Sequence, residues 1–195
     1  LAKRALEEAL VGRELLKDVE GRANVLRELA GVEIALGEGS EAVDHLKYAV
    51  RSLRETGNVL GEIAMLQTLA ESAESLGDPG AATVAAREIV DAAGRTGDRE
   101  AVAGAYFMLA TRHAGQGELA EAEQAFRTAN EIQEVLGLAH EAAVSQGMLG
   151  QVIVAAGRPD DGVRLMRAAL DRLDALNSEA ADTLRSVLAE VEASG

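Results

Sequence analysis

Apolar residues recur three or four positions apart along the chain, and the pattern they form returns at a constant interval. Its clearest column is Leu29, Leu69, Leu109 and Leu149, so one period is forty positions. Spacing of three and four residues places side chains on one face of an α-helix, whereas a half-buried strand would show strict alternation. The chain is therefore predicted to be a series of amphipathic helices that bury one face against their neighbours.

Glycines divide each period into two helices. Two glycine series alternate along the chain, half a period apart. The first series is Gly37, Gly77, Gly117 and Gly157. The second series is Gly57, Gly97 and Gly137, with Asn177 in the fourth place. Glycine and asparagine tolerate the left-handed backbone conformation that ends many helices. Two such stops per period predict a helix–turn–helix unit that occurs four times.

Four repeats are predicted, with one further helix on each side. The repeats cover 21–57, 61–97, 101–137 and 141–177, the leading helix covers 1–16 and a capping helix covers 178–195. The leading helix matches the second helix of a repeat, so we expect the chain to be a fragment of a longer protein. Side-chain caps at helix starts are expected from Ser40, Asp160 and Ser178.

Small residues occupy two columns that face each other within a repeat. They are Ala30, Ala70, Ala110 and Gly150, and Ala42, Ala82, Ala122 and Gly162. Small side chains at both positions allow the two helices to approach closely, so a larger residue there is expected to overpack the crossing.

Together these columns resemble the tetratricopeptide repeat (TPR). The third repeat carries the matching residues Tyr106, Leu109, Ala110, His113, Gly117, Ala122, Phe126 and Ala129. The resemblance covers nearly the whole chain and implies an all-α, right-handed superhelical solenoid of about ten antiparallel helices. The period is longer than the usual ~34 residues, and it resembles the long repeats of bacterial multidomain regulators and kinesin light chains. The column that is usually aromatic reads Glu33, Ala73, His113 and Ile153.

The charge balance restricts the partners. Nineteen Lys and Arg stand against 33 Asp and Glu, for a net charge of −14. Such a chain repels phosphate backbones and anionic lipids, so we expect neither nucleic-acid nor membrane binding. No cysteine is present, which excludes thiol chemistry and suits the cytoplasm. High Ala, Gly and Arg content indicates a bacterial source.

Residues that carry catalysis or bind metals do not form a recognisable pattern. The three histidines, His45, His113 and His140, have no metal-ligand spacing. His113 is expected in the core and the other two at the surface. The glycine-rich turns do not continue into a phosphate-binding loop, and no serine lies in a nucleophile elbow. The sequence predicts no enzyme, no cofactor and no metal.

A column of cations recurs on the second helices, at Lys47, Arg87, Arg127 and Arg167. Three of the four have an acid four residues later, at Asp91, Glu131 and Asp171. We expect ion pairs at that spacing on a solvated outer face, because such pairs stabilise exposed helices.

The resemblance also implies where a partner would bind, because the first helix of each TPR lines a concave groove. The candidate groove residues are Asn24, Arg27, Glu28, Gln67, Thr68, Glu71, Phe107, Met108, Thr111, Val144, Met148 and Gln151. The first six are all polar or charged, and the last six include four apolar residues. This surface suits an amphipathic helix or extended peptide. The alternative is that Phe107 and Met108 pack between repeats.

The leading interpretation is a non-catalytic scaffold that binds a protein or peptide, as part of a larger bacterial regulatory protein. One alternative is a domain of a transcriptional regulator that senses a small molecule or a peptide signal. Another is self-association, with a homodimer formed through the N-terminal helix, because Leu6 and Leu10 lack a partner helix on one side.

Overall fold

The computed structural model describes residues 1–194, and all regular secondary structure in that range is α-helical. The helices are α1 (Ala2–Leu15), α2 (Val19–Leu36), α3 (Gly39–Glu55), α4 (Val59–Ser75), α5 (Pro79–Thr96), α6 (Arg99–Gly115), α7 (Leu119–Leu136), α8 (Ala139–Ala155), α9 (Pro159–Ala175) and α10 (Ala180–Ser194). The predicted all-α class and the ten helices are confirmed within the described range.

The turn that follows each of the first nine helices contains one residue in the left-handed region. All seven glycines of the two predicted series have positive φ, from 71° to 82°. Asn177 fills its predicted place at 52°, and Lys17 holds the same conformation at 53°. Lys17 was not predicted, because a lysine rarely adopts positive φ. The half-period spacing therefore extends across nine consecutive turns.

Every helix from α2 to α9 begins two residues after a left-handed residue. This rule shows that two predicted caps are wrong. The N-cap of α3 is Glu38, so Ser40 lies inside the first turn. The N-cap of α9 is Arg158, so Asp160 also lies in the first turn, after Pro159. Ser178 does accept a hydrogen bond, from the Ala180 N–H at 3.2 Å.

Side-chain caps form where the residue after the left-handed position is Asp or Asn. Asp18, Asn58, Asp78 and Asp98 accept hydrogen bonds from backbone N–H groups at the starts of α2, α4, α5 and α6. Each cap satisfies N–H groups that have no partner inside the helix, which is worth about 1 kcal/mol.

The helices form two compact units, α1–α5 (residues 1–97) and α6–α10 (from residue 98). Within each unit every helix packs against the next one along the chain, and in the first unit α2 also packs against α4. We call these the N-terminal and the C-terminal unit. The Leu29, Leu69, Leu109 and Leu149 column is buried, as its spacing predicted.

The crossing of α8 and α9 is tight because glycine stands on both sides of it. A methyl group added at Gly162 would lie 2.5 Å from the Gly150 carbonyl oxygen and would also collide with a Val154 methyl. One added at Gly150 would lie 2.8 Å from the Gly162 carbonyl oxygen. The corresponding residues of the other three repeats are buried alanines, so those crossings leave room for one more carbon per residue.

We predict that Gly162→Ala lowers the free energy of unfolding by about 1–3 kcal/mol, because the overpacking outweighs the better helix propensity of alanine. Gly104→Ala is the matched control, since nothing lies within 4 Å of a methyl group at that helical position. It should raise stability by about 0.5–1 kcal/mol. Urea denaturation followed by circular dichroism measures both. Equal effects of the two substitutions would contradict the close approach of α8 and α9.

Candidate functional site

The first six candidate residues lie on α2 and α4 of the N-terminal unit, and we call them the polar face. They are Asn24, Arg27, Glu28, Gln67, Thr68 and Glu71. All are exposed except Thr68, which is half-buried and whose hydroxyl donates to the Ala64 carbonyl at 3.2 Å. Arg27, Glu28 and Glu71 form no ion pair with any residue that the structure describes. Their charges are therefore available to a partner.

The other six candidates lie on α6 and α8 of the C-terminal unit, and we call them the apolar face. They are Phe107, Met108, Thr111, Val144, Met148 and Gln151. Thr111 is exposed and the rest are half-buried. The Thr111 hydroxyl donates to the Phe107 carbonyl at 3.0 Å, so it is tied to its own helix.

Three residues of the apolar face also pack on hydrophobic clusters. Phe107 and Met148 contact the cluster around Phe126, and the two phenyl rings meet edge to face with centroids 5.4 Å apart. Val144 contacts a second cluster around Met166. Each of these side chains is partly packed against its cluster and partly exposed to solvent. The packed part holds the exposed part in a fixed position.

A buried carboxylate that sequence reasoning missed lies at the start of α4. Glu62 is fully buried, and its Oε1 accepts hydrogen bonds from Arg54 Nε on α3 and Arg95 Nη2 on α5, each at 2.7 Å. Arg54 also donates to Glu88 at 2.7 Å. The only signal in the sequence is that the corresponding positions of the later repeats are Val102 and Ala142. One acid therefore joins three helices of the N-terminal unit.

The pKa of the Glu62 carboxyl results from two opposing effects. Burial alone would raise this pKa, but the hydrogen bonds and positive charges of Arg95 and Arg54 outweigh burial and lower it. The glutamate is therefore ionised at neutral pH. The same contacts raise the pKa of the Arg54 guanidinium, chiefly through Glu88 and Glu62.

Two of the three histidines contact acids. His113 is buried, as predicted, and its Nδ1 meets the Glu118 carboxylate. His45 was expected at the surface but is half-buried, because its Nδ1 lies 2.9 Å from Oε2 of the buried Glu33. Lys3 contacts the other Glu33 oxygen at 3.2 Å. Charged side chains therefore replace the usual aromatic residue in the first repeat.

The ion pairs predicted for the cation column are wrong. Arg127 contacts Glu123 at 2.8 Å, four residues earlier, and Arg167 contacts Glu192 on α10 at 2.8 Å. Glu123 also forms an ion pair with Arg158, and this contact holds the pKa of the Glu123 carboxyl below its usual range. The acids at i+4 remain exposed, because Arg127 pairs with an acid on the preceding turn of α7 and Arg167 pairs with one on the neighbouring helix α10.

Within residues 1–194, no group of three or more His, Asp or Glu side chains could hold a metal ion. None of the described helices combines the length and the apolar character needed to cross a lipid bilayer.

No protein-family model matches the chain, and no curated protein matches it. Solved structures do match. BtubC (BKLC) from P. vanneervenii has a TM-score of 0.68 at 19% identity, over 88% of this chain and 72% of that one. A putative kinesin light chain with TPR-like repeats from Podosopora anserina has a TM-score of 0.58 at 19% identity, over 89% of this chain and 96% of that one.

RapI in its apo form has a TM-score of 0.73 at 12% identity, over 95% of this chain and 51% of that one. A Rap protein complexed with Competence and Sporulation Factor has a TM-score of 0.56 at 14% identity, over 98% of this chain and 58% of that one. This chain thus spans about half the length of the Rap proteins it matches. The identities are low and the fold is shared, so the chain is a TPR-like helical repeat protein in its fold.

We predict that Glu62→Gln lowers the free energy of unfolding by about 1–3 kcal/mol at pH 7, because two charge-assisted hydrogen bonds are weakened. The pKa of Glu62 is lowered on folding. Its contribution is therefore fully present above the ordinary value of about 4.3 and is lost as pH falls through the lower pKa of the folded state. Denaturant titrations at pH 7 and at acid pH measure this difference.

The control for this substitution is Glu88→Gln. Glu88 is partly exposed and, of the described ion pairs, contacts only Arg54, so its loss should cost no more than about 1 kcal/mol. A Glu62→Gln deficit that stayed constant down to pH 3 would show that the carboxylate charge is not responsible.

Proposed function

We propose that this chain is a non-catalytic interaction module that binds a peptide or a segment of another protein along the first helices of its repeats. The observation that carries the proposal is the pair of faces on those helices. The polar face offers charges that no described residue neutralises, and the apolar face offers half-buried side chains held by packing. Fixed apolar side chains lose little conformational freedom when a partner covers them, which favours binding.

We further propose that the module serves a larger regulatory protein of the bacterial cytoplasm. RapI carries a similar fold over about half its length, so arrays of this kind occur as parts of longer chains. The composition, with no cysteine, is consistent with a reducing compartment.

A peptide-display library selected on the full chain tests the binding proposal. The selected peptide is then titrated by fluorescence anisotropy. We predict that the double variant Phe107→Ala with Met148→Ala weakens binding at least about tenfold, because both side chains supply apolar contact area. Since Phe107 also packs on Phe126, the thermal midpoint of this variant is measured alongside.

Two single substitutions leave the packing intact. Arg27→Glu reverses a charge on the polar face, and Thr111→Glu places a charge on the apolar face, both at exposed positions. Arg87→Glu is the control, an exposed charge reversal on α5 outside both faces. If the affinity of the selected peptide is the same for all folded variants, the assignment to the first helices is wrong.

Self-association through α1 is a second candidate function. No residue of α1 is buried. Leu6 and Leu10 are half-buried, whereas Val11, Leu15 and Leu16 are largely exposed. Such a row of apolar residues at one helix favours contact with another apolar surface.

We predict that light scattering coupled to size exclusion shows a dimer at tens of micromolar protein, and that Val11→Glu with Leu15→Glu converts it to a monomer. Both positions are exposed, so the fold should tolerate the change. A wild-type chain that stays monomeric at this concentration rules out the self-association function.

A further inference from the structure

The second helices of the N-terminal unit border a cavity that neither face includes. A pocket of about 600 Å³ lies between α3 and α5, above α4. A second pocket of about 400 Å³ extends toward Gly39 and Leu76 and shares five lining residues with the first: Val43, Asp44, Lys47, Ala73 and Ala81. We call the combined feature the α3–α5 trough. It follows α3 from Gly39 to Arg54, a length of about 22 Å at ~1.5 Å per residue.

The floor and walls of the α3–α5 trough are largely apolar. Leu66 and Leu69 of α4 form the floor. Val43 and Val50 line the α3 wall, and Val84 of α5 stands opposite with 55% of its surface exposed. An exposed valine beside an apolar cavity is a surface that a partner can cover with a gain of free energy.

Three cations border this apolar floor, all from α3. Lys47, Arg51 and Arg54 are spaced at i, i+4 and i+7, which places them on one side of the helix. Asp44, Asp78 and Glu88 are the acids that line the trough, of which Asp78 caps the start of α5 and Glu88 is paired with Arg54. Arg54 is engaged with Glu62 and Glu88, whereas Lys47 and Arg51 form no ion pair with another described residue.

The charge pattern of α3 differs from that of the corresponding helices. In the third repeat the same three positions are Arg127, Glu131 and Glu134, and in the fourth they are Arg167, Asp171 and Asp174. Only the first repeat carries cations at all three positions, in a chain whose net charge is −14. Helix propensity does not explain why α3 carries cations where the later repeats carry acids, because Glu and Arg are both good helix formers.

We propose that the α3–α5 trough is a second docking site, which binds an acidic amphipathic helix from another protein. Apolar side chains of that helix fill the space above Leu66 and Leu69, and its carboxylates meet Lys47 and Arg51. A trough of about 22 Å accommodates about four helical turns, whereas a small amphiphile would use only one of the two pockets. The site opens between the second helices α3 and α5, and its lining includes no residue of the polar or the apolar face.

The test uses the full chain and a fluorescein-labelled helical peptide of about four turns, the length of the trough. It carries leucines at i, i+3, i+4 and i+7 with glutamates beside them, and a matched peptide carries glutamine in place of every glutamate. We predict saturable one-to-one binding of the acidic peptide and about tenfold weaker binding of the glutamine peptide, with the difference shrinking as salt is added. Fluorescence anisotropy measures both.

Variants of the chain locate the binding. Arg51→Glu recreates the acid of the third repeat, and Val84→Asp places a charge on the opposite wall. Each should weaken binding of the acidic peptide about tenfold without a change in the circular dichroism spectrum, because both side chains are exposed. Arg87→Glu, which reverses a charge on α5 at a residue that does not line the pocket, should leave the affinity unchanged.

Three results would overturn the proposal. The first is equal affinity of the acidic and glutamine peptides. The second is one-to-one binding of dodecanoate without binding of the acidic peptide, which would assign the pocket to a small amphiphile. The third is weaker binding caused by Arg27→Glu or Thr111→Glu but not by Arg51→Glu. That result would place the peptide on the first helices and leave the proposed function standing.

Discussion

A left-handed backbone residue at constant spacing, from Lys17 to Asn177, governs the structure of the repeats. Because the next helix begins two residues later in every repeat, the interval sets the length of the helices and the register between them. Side chains one full period apart therefore meet the same surroundings, which is why one leucine column and two columns of small residues recur. The buried core depends on this regularity, and so does the placement of surface residues on the first or the second helices.

Much of the fold was predictable, because backbone conformation and burial leave local signals. Glycine marks positive φ, and apolar spacing marks the buried face of each helix. The errors have the same local character. Ser40 and Asp160 are good capping residues that stand two positions beyond the N-cap, and Lys17 takes a conformation that its side chain does not favour. Nothing in the residue type alone reveals such departures.

The electrostatic contacts that join residues from different helices were not predictable, because no local spacing in the sequence marks them. Glu62 meets Arg54 and Arg95, which are 8 and 33 residues away, and Arg167 meets Glu192, 25 residues away. The sequence pattern suggested pairs at i+4 instead. Likewise, the sequence placed Phe107 and Met148 among groove residues, but only the structure shows that both also pack on a hydrophobic cluster.

The ion network centred on Glu62 limits how far the repeats can be exchanged. Because the left-handed residues are evenly spaced, whole repeats could be duplicated or exchanged with the turns and the leucine columns still aligned. A segment that carried α4 to another position would bring its buried acid without Arg54, since the corresponding positions in the third and fourth repeats are Glu134 and Asp174. The N-terminal repeats are thus modular in their backbone but not in their charges.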